Sequence, residues 1–295
     1  MKTRVGVIGL GKMGTAIALR LSGQDYAVEA WTRSGVNEVW AQETGVRGHE
    51  TLAALVANVD VILLSLSDDA AVTSVLEVLI GLDISKRLIV DCSTVNPAVL
   101  TSYASRFHGA GAQVLDAPIS GWPMMVSKGK CGIYIGGDES DVTRFKPIAE
   151  ALSDRIVHAG SLGQGMMAKI VNNMMLASYW QSLREALQVG QSGGLSVEKM
   201  LEILINSPAA NGVLALKAPV IKGAQTPPSF TVSGIVADLT MFNEVSRDAG
   251  IDTPTLRAAL NNFANHEKTG AGEADFVSMI AAALTNADTE TDGVL

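Results

Sequence analysis

Cysteine and histidine are scarce in this chain, and their scarcity excludes two common ways of stabilising a fold. The 295 residues contain two cysteines, Cys92 and Cys131, and four histidines, His49, His108, His158 and His266. Two cysteines cannot form a disulfide framework, and the histidines are too far apart for a local zinc signature. We therefore expect no metal site and a reducing, cytoplasmic compartment.

Clustered positive charge and long apolar runs are also lacking. The chain has 22 Lys and Arg against 30 Asp and Glu, a formal net charge of -8 at pH 7, and its basic residues are scattered singly. Because phosphate binding needs a basic patch, we exclude nucleic acid as a partner. Lys12 interrupts the apolar start of the chain, and no run approaches the roughly 20 apolar residues of a membrane span. We expect neither a signal peptide nor a membrane segment.

Apolar residues, by contrast, make up 47% of the chain, which is ample for sizeable cores. At roughly 150 residues per domain, the length suggests two domains. Short apolar runs alternate with helical patterns in the first half, and several of these runs are apolar on both faces, which is typical of a mostly parallel sheet covered on both sides. The expected strands are 4–9, 27–33, 59–66, 87–93, 112–118 and 131–137.

From about residue 162 the strand-like runs give way to helices. Residues 165–193 have helical composition, and further helices are expected at 196–207 with Ser196 as N-cap, at 234–250 and at 253–268. We predict an α/β protein with an N-terminal Rossmann domain, a doubly wound and mostly parallel sheet at 1–162. A long interdomain helix joins it to an all-helical substrate and oligomerisation domain at 163–287, followed by a flexible tail at 288–295.

A glycine-rich stretch, VGVIGLGKMG, runs from the first expected strand directly into a helix. Gly9 permits a tight turn, Gly11 lets the backbone approach a pyrophosphate, and Gly14 allows close helix-to-strand packing. This context predicts a dinucleotide site, and a glycine-rich turn without a ligand is the alternative. The cofactor contacts expected here are Gly9, Leu10, Gly11, Lys12, Met13 and Gly14.

The turn after the second expected strand indicates the coenzyme. NAD sites place an acid there for the ribose 2′-hydroxyl, whereas this turn reads Thr32, Arg33, Ser34. A guanidinium and two hydroxyls match the oxygens of a 2′-phosphate. We therefore predict NADP(H) rather than NAD(H), with a solvated surface arginine as the alternative.

Five segments carry a resemblance to the β-hydroxyacid dehydrogenase family, in its order and rough spacing. They are IGLGKMGTAIALRL, LSLSDDAAV, DCSTVNP, DAPISG and GSLGQGMMAKIVNNMM. That family includes 3-hydroxyisobutyrate dehydrogenase and tartronate semialdehyde and glyoxylate/succinic semialdehyde reductases, and it is related to 6-phosphogluconate dehydrogenase and imine reductases. The resemblance extends from residue 4 to about 260. It implies an NAD(P)-dependent oxidoreductase that moves hydride between nicotinamide and a β-hydroxy acid or semialdehyde.

Lys169 stands among apolar residues, where an ammonium group is costly without compensation. The resemblance implies that it is the catalytic group, which gives a proton to the carbonyl oxygen as hydride arrives. Helix geometry puts Asn172 and Asn173 on the same face, so we expect both to bind substrate. Desolvation would lower the lysine pKa towards the working pH. The alternative is a lysine whose stem covers apolar surface and whose head reaches water.

The resemblance also implies that Leu66, Ser67, Ser93 and Thr94 contact the cofactor, and that Ser120 and Gly121 hold a substrate carboxylate. An ordinary turn and a local bend are the alternatives for these two segments. Trp122 replaces a second glycine of the family, and Ala237 replaces a second lysine. Both departures favour a larger or more apolar carbonyl substrate, with Trp122 as a substrate contact or a packing residue.

Two other functions and an assembly remain to be tested. An imine reductase shares the fold, but Lys169 counts against it, while Trp122 and Ala237 count slightly for it. A non-catalytic nucleotide-binding scaffold would not need Lys169.

The long helix carries apolar residues at helical spacing, which predict a homodimer or homotetramer unless they pack within the chain. These residues are Met174, Met175, Leu176, Tyr179, Trp180, Leu183 and Leu187.

Overall fold

The structure is a computed structural model that describes the backbone of residues 3–291 and the side chains up to residue 285. Its strands are β1 (Arg4–Ile8), β2 (Ala27–Trp31), β3 (Arg47–Gly48), β4 (Val61–Leu64), β5 (Leu88–Asp91), β6 (Gln113–Asp116), β7 (Ile119–Ser120), β8 (Gly132–Gly136) and β9 (Arg155–Gly160). The first helices are α1 (Lys12–Ser22), α2 (Glu38–Thr44), α3 (Leu52–Asn58), α4 (Asp69–Ile80), α5 (Pro97–Gly109), α6 (Pro123–Ser127) and α7 (Glu139–Leu152). The later ones are α8 (Gln164–Ser192), α9 (Val197–Ile205), α10 (Leu214–Ile221), α11 (Val232–Asp248), α12 (Pro254–His266) and α13 (Ser278–Thr291), with a π-helical turn at Glu267–Ala271.

The described strands form one sheet in the order β3-β2-β1-β4-β5-β6-β8-β7, with β9 paired to β8. The run from β3 to β6 is parallel, and β8 pairs antiparallel with β6 and β7 and parallel with β9. The strand order reverses between β1 and β4. In open α/β sheets ligands bind at such a reversal, beyond the carboxyl ends of the strands.

The central strands are buried because their side chains are apolar on both faces. Every residue of β4 and β5 is buried. One face packs against a core that includes Ile17 of α1 and Phe145 of α7, and the other against Leu55 of α3 and Leu76 of α4. Such double coverage leaves only the ends of the strands open to a ligand.

The chain divides into two compact units, the first ending at Val171 and the second beginning at Asn172. The described part of the second unit is helical, with its core around Trp180, whose ring meets that of Phe276 edge to face at 5.6 Å between centroids. Lys217 and Asp275 form a buried ion pair at 2.6 Å, and the Lys217 ammonium group lies 4.8 Å from the centroid of the Phe276 ring. Burial lowers the pKa of Lys217, and its bond to Asp275 opposes that shift.

The predicted fold class, a mostly parallel α/β sheet followed by a large helical part, is confirmed. Each of the six expected strands and four expected helices is present, and Ser196 caps α9 by accepting the N–H of Lys199. The short strands β3 and β7, the strand β9, and helices α10 and α13 were not expected. Of the predicted tail, residues 288–291 belong to α13 and residues 292–295 lie outside the described residues. No described helix is long and apolar enough to cross a membrane.

Candidate active site

The glycine turn lies at the reversal of strand order, directly after β1. Gly9 has a φ of 95° and donates its N–H to the Trp31 carbonyl at 2.9 Å. A Cβ on Gly14 would collide with the Gly9 carbonyl oxygen, whereas a Cβ on Gly11 would meet no protein atom within 4 Å. Gly9 and Gly14 are therefore required by the protein's own packing, and the space in front of Gly11 is open.

Helix α1 begins at this turn with no side-chain cap. Its first N–H groups have no acceptor within the helix, because intrahelical bonding starts with Thr15, which donates to the Gly11 carbonyl at 2.9 Å. An uncapped helix N-terminus beside an open glycine fits the pyrophosphate of a dinucleotide. Lys12 is exposed at the same turn, while Leu10 and Met13 are half-buried against the core beside α1.

The turn after β2 offers exposed donors and no carboxylate. Arg33 and Ser34 are exposed, Thr32 is half-buried, and the turn closes by a bond from the Gly35 N–H to the Thr32 carbonyl at 2.9 Å. The nearest acid along β2, Glu29, is buried and bonded to His49. A hydrogen bond from Ser67 lowers the pKa of Asp68, and the more distant charge of Arg33 acts in the same direction.

The turns after β4 and β5 are joined by hydrogen bonds. The Leu66 N–H donates to the Ser93 hydroxyl oxygen at 3.0 Å, and the Ser93 N–H donates to Asp91 at 2.9 Å. Burial raises the pKa of Asp91 to about 6 against the opposing bonds from Ser93. The structure thus brings Leu66 and Ser93 together, with Thr94 half-buried next to them and Ser67 exposed.

Lys169 is 6% exposed, and its ammonium group donates to the Ile119 carbonyl at 2.7 Å. Ile119 is followed by Ser120, Gly121 and Trp122, so the lysine head lies against the segment expected to bind substrate. Gly121 has a φ of 140°, which favours glycine, and Trp122 is half-buried at the start of α6. Lys169 is therefore held in the protein interior by a hydrogen bond to the backbone.

Asp116 at the end of β6 was not expected as a site residue. Its side chain is 1% exposed and accepts the N–H groups of Gly163 at 2.7 Å and Met166 at 2.6 Å, at the start of α8. Burial raises its pKa, and the N–H groups of Gly163, Met166 and Gly165 oppose that shift. The sequence feature that could have identified Asp116 is an acid at the carboxyl end of an apolar strand. It lies in the DAPISG segment, in which only Ser120 and Gly121 were predicted as site residues.

Asn172 and Asn173 follow Lys169 by one turn of α8 and belong to the second compact unit. Asn172 donates to the Asn173 amide oxygen at 2.9 Å, and Asn173 donates to Asp238 of α11 at 3.2 Å. The amides thus form a hydrogen-bonded row within that unit, and Asp238 is an acidic neighbour that the sequence did not single out.

Comparison with known families decides the assignment. Residues 4–160 match the model of the NAD binding domain of 6-phosphogluconate dehydrogenase, and residues 163–283 match that of the NAD-binding domain of NADP-dependent 3-hydroxyisobutyrate dehydrogenase. The chain belongs to the β-hydroxyacid dehydrogenase family. It is accordingly an NAD(P)-dependent dehydrogenase or reductase, as its sequence predicted.

Individual members of the family are similar over nearly their whole length. The NAD-dependent L-serine dehydrogenase of Pseudomonas aeruginosa is 27% identical, with 92% of this chain and 95% of that protein covered. A Mycobacterium tuberculosis 3-hydroxyisobutyrate dehydrogenase solved with L-serine superposes with a TM-score of 0.84 at 22% identity, covering 96% and 99% of the two chains. A Bacillus cereus imine reductase superposes less closely, with a TM-score of 0.63 at 22% identity over 95% and 98%. The two structures share the fold of this β-hydroxyacid dehydrogenase family member.

Proposed function

We propose that this β-hydroxyacid dehydrogenase family member reduces a semialdehyde or related carbonyl acid with NADPH, and oxidises the corresponding β-hydroxy acid in reverse. The observation that carries the proposal is the buried Lys169 ammonium group against the Ile119 carbonyl, next to Ser120 and Gly121. A lysine in this environment is a positioned proton donor, which general acid–base chemistry requires.

The proposed reaction has a simple proton balance. NADPH bound at the glycine turn would supply the hydride for the carbonyl carbon. The Lys169 ammonium group would give its proton to the carbonyl oxygen, so that an alcohol would form. In the oxidative direction the neutral amine takes the hydroxyl proton. Because Lys169 already donates to a backbone carbonyl, its head group is oriented before substrate arrives, which lowers the cost of reaching the reactive geometry.

Substrate selection is assigned to the segment that holds this lysine. The Ser120 hydroxyl and the backbone at Gly121 are suited to a carboxylate, and Asn172 and Asn173 supply amide donors and acceptors one turn beyond Lys169. Trp122 adds a large apolar surface to the same segment, and Ala237 provides no charge where related enzymes carry a lysine. These features support a carbonyl acid with a larger or more apolar body than the smallest family substrates.

NADPH is proposed over NADH because of the turn after β2. Arg33 and Ser34 are exposed there, Thr32 is beside them, and the acid on β2, Glu29, is committed to His49. A 2′-phosphate would gain charge-assisted bonds from this turn, whereas a 2′-hydroxyl would find no carboxylate in it.

The test is a turnover screen of semialdehydes, keto acids and cyclic imines with NADPH and with NADH, using wild type, Lys169→Ala and Lys199→Ala. We expect turnover of a semialdehyde, a preference for NADPH in kcat/KM, and a loss of about 10²-fold to 10⁴-fold in kcat for Lys169→Ala with little change in NADPH affinity. Lys199 is an exposed lysine on α9, so its variant should match wild type.

The outcomes separate the remaining alternatives. Reduction of cyclic imines with no activity on semialdehydes would favour an imine reductase, and coenzyme binding without turnover of any substrate would favour a scaffold. Wild-type kcat in Lys169→Ala would overturn the catalytic role of the lysine, and a preference for NADH would overturn the coenzyme assignment.

A further inference from the structure

Asp116 is a buried acid that has no direct part in the proposed reaction. It ends β6, and the chain continues from it to β7, which consists of Ile119 and Ser120. Its carboxylate accepts the N–H groups of Gly163 and Met166. Those N–H groups lack acceptors within α8, because Gly163 immediately precedes the helix and Met166 lies in its first turn. Asp116 is thus an N-terminal cap supplied from a distant strand rather than from the helix itself.

The packing around this carboxylate is tight. A Cβ on Gly136 would collide with one carboxylate oxygen of Asp116, and a Cβ on Gly165 would lie 2.8 Å from the other. Both glycines are buried. The start of α8 can therefore approach β6 and β8 closely enough for bonding to Asp116 only because neither position carries a side chain.

One short segment of chain bonds both to the start of α8 and to the side chain of Lys169. Residues 116–119 supply the carboxylate that holds the first turn of α8 and the carbonyl that accepts the Lys169 ammonium group. An α-helix turns about 100° and rises about 1.5 Å per residue, so a slip of one residue at its start would rotate the Lys169 stem away from Ile119. The helix start and the lysine head are consequently fixed with respect to the same backbone.

We propose that Asp116 is a positioning residue for catalysis: by bonding to the Gly163 and Met166 N–H groups it fixes the register of α8 and so places the Lys169 ammonium group beside the Ser120–Gly121 segment. This inference rests on the proposed role of Lys169 as proton donor. The proposed role of Asp116 is exerted through Lys169 and requires no contact with substrate or coenzyme.

The test begins with Asp116→Asn, which keeps the size of the side chain but replaces one acceptor oxygen with an NH₂ group. We expect kcat to fall by about 10-fold to 10²-fold, as for a small misplacement of a catalytic group, while NADPH affinity changes less than about twofold. Amide hydrogen exchange at the start of α8 should accelerate in the same variant. Ser196→Ala, which removes the cap of α9, is the matched control and should lower stability without changing kcat.

A double-mutant cycle separates positioning from general damage. If Asp116 acts through Lys169, Asp116→Asn should have almost no further effect on the slow single-turnover rate of Lys169→Ala. The inference is overturned if both backgrounds lose the same factor, or if Asp116→Asn keeps kcat within twofold of wild type. Full activity in Lys169→Ala would instead overturn the proposed function, and accelerated exchange in Asp116→Asn would then still show that the carboxylate caps α8.

Asp116→Ser is the second variant should Asp116→Asn fail to fold. Its hydroxyl retains one acceptor and its smaller size avoids the close approach of Gly136 and Gly165. The same loss of kcat, absent in the Lys169→Ala background, is expected, and unchanged kcat in this variant would also overturn the inference.

Discussion

Asp91 ends β5 as a carboxyl group with no exposed surface. One of its oxygens accepts the Ser93 N–H, and the other has no hydrogen-bond partner among the described residues. Burial is the main cause that raises its pKa from an ordinary 3.8 to about 6, and Asp116 and Asp69 add smaller repulsion. The folded state therefore binds this proton more tightly than the unfolded state.

The sign of the pH effect follows from that difference. Stability contributed by the protonated Asp91 is complete below about pH 4 and is lost as pH rises through about 6, by up to about 3 kcal/mol. Asp91→Asn keeps an acceptor for Ser93 and cannot ionise, so its free energy of unfolding should rise relative to wild type between pH 4 and pH 7. Urea unfolding of both proteins across that range measures the difference, and a difference independent of pH would refute the assignment.

Among individual residues, the sequence identified those whose chemistry is visible in the residue type. The glycines and Arg33 were predicted because a turn and an anion site each need particular side chains, and the role of Lys169 was predicted from the family resemblance of the segment around it. The Ile119 carbonyl could not be predicted, since every residue has one and only the fold brings it to Lys169. Asp116 and Asp91 carried a weak signal as acids at the ends of apolar strands.

The glycine turn and α1 form the element to which we assign coenzyme binding, and the structure predicts separable roles for its glycines. Gly11→Ala adds a Cβ that meets no protein atom, whereas Gly14→Ala adds one that collides with the Gly9 carbonyl. We expect Gly11→Ala to keep the Tm of wild type yet weaken NADPH binding at least about tenfold, because the methyl group enters the space of the pyrophosphate.

Gly14→Ala should instead lower the Tm of the coenzyme-free protein, because the backbone must move to remove the collision. Thermal unfolding and a fluorescence titration with NADPH measure the two effects. Unchanged NADPH affinity in Gly11→Ala would place the pyrophosphate elsewhere.

Elements were predicted where a periodic apolar pattern is long enough to see. β4 is apolar throughout and β5 is apolar up to its last residue, Asp91, while α8 and α11 are long, so composition alone located them. β3 and β7 have two residues each and carry no pattern. β9 has no buried residue, and its backbone bonds to β8 define it rather than its side chains. Such strands depend on a neighbour that the sequence does not display.

At the scale of the whole molecule, the apolar residues of α8 fall into two groups, one buried within the chain and one exposed. Trp180, Leu183 and Leu187 are buried within the chain, so they do not support an interface as their sequence pattern suggested. Met175 and Val189 are 69% and 72% exposed on the same helix. The prediction of a homodimer or homotetramer therefore depends on a smaller apolar surface than expected, with the polar Ser182 and Glu185 exposed between these two residues.

Light scattering coupled to size-exclusion chromatography measures the mass of the particle, which is compared with the chain mass of 30.8 kDa. We expect a particle of two or four chains for wild type, and a single-chain mass for a Met175→Lys, Val189→Lys double variant, because two lysines would have to be desolvated in the interface. Val78→Lys changes an apolar residue of α4 that is 47% exposed and is the matched control, which should keep the wild-type mass. A wild-type particle of one chain would refute the assembly, and an oligomer that survives the double variant would place its interface on another surface.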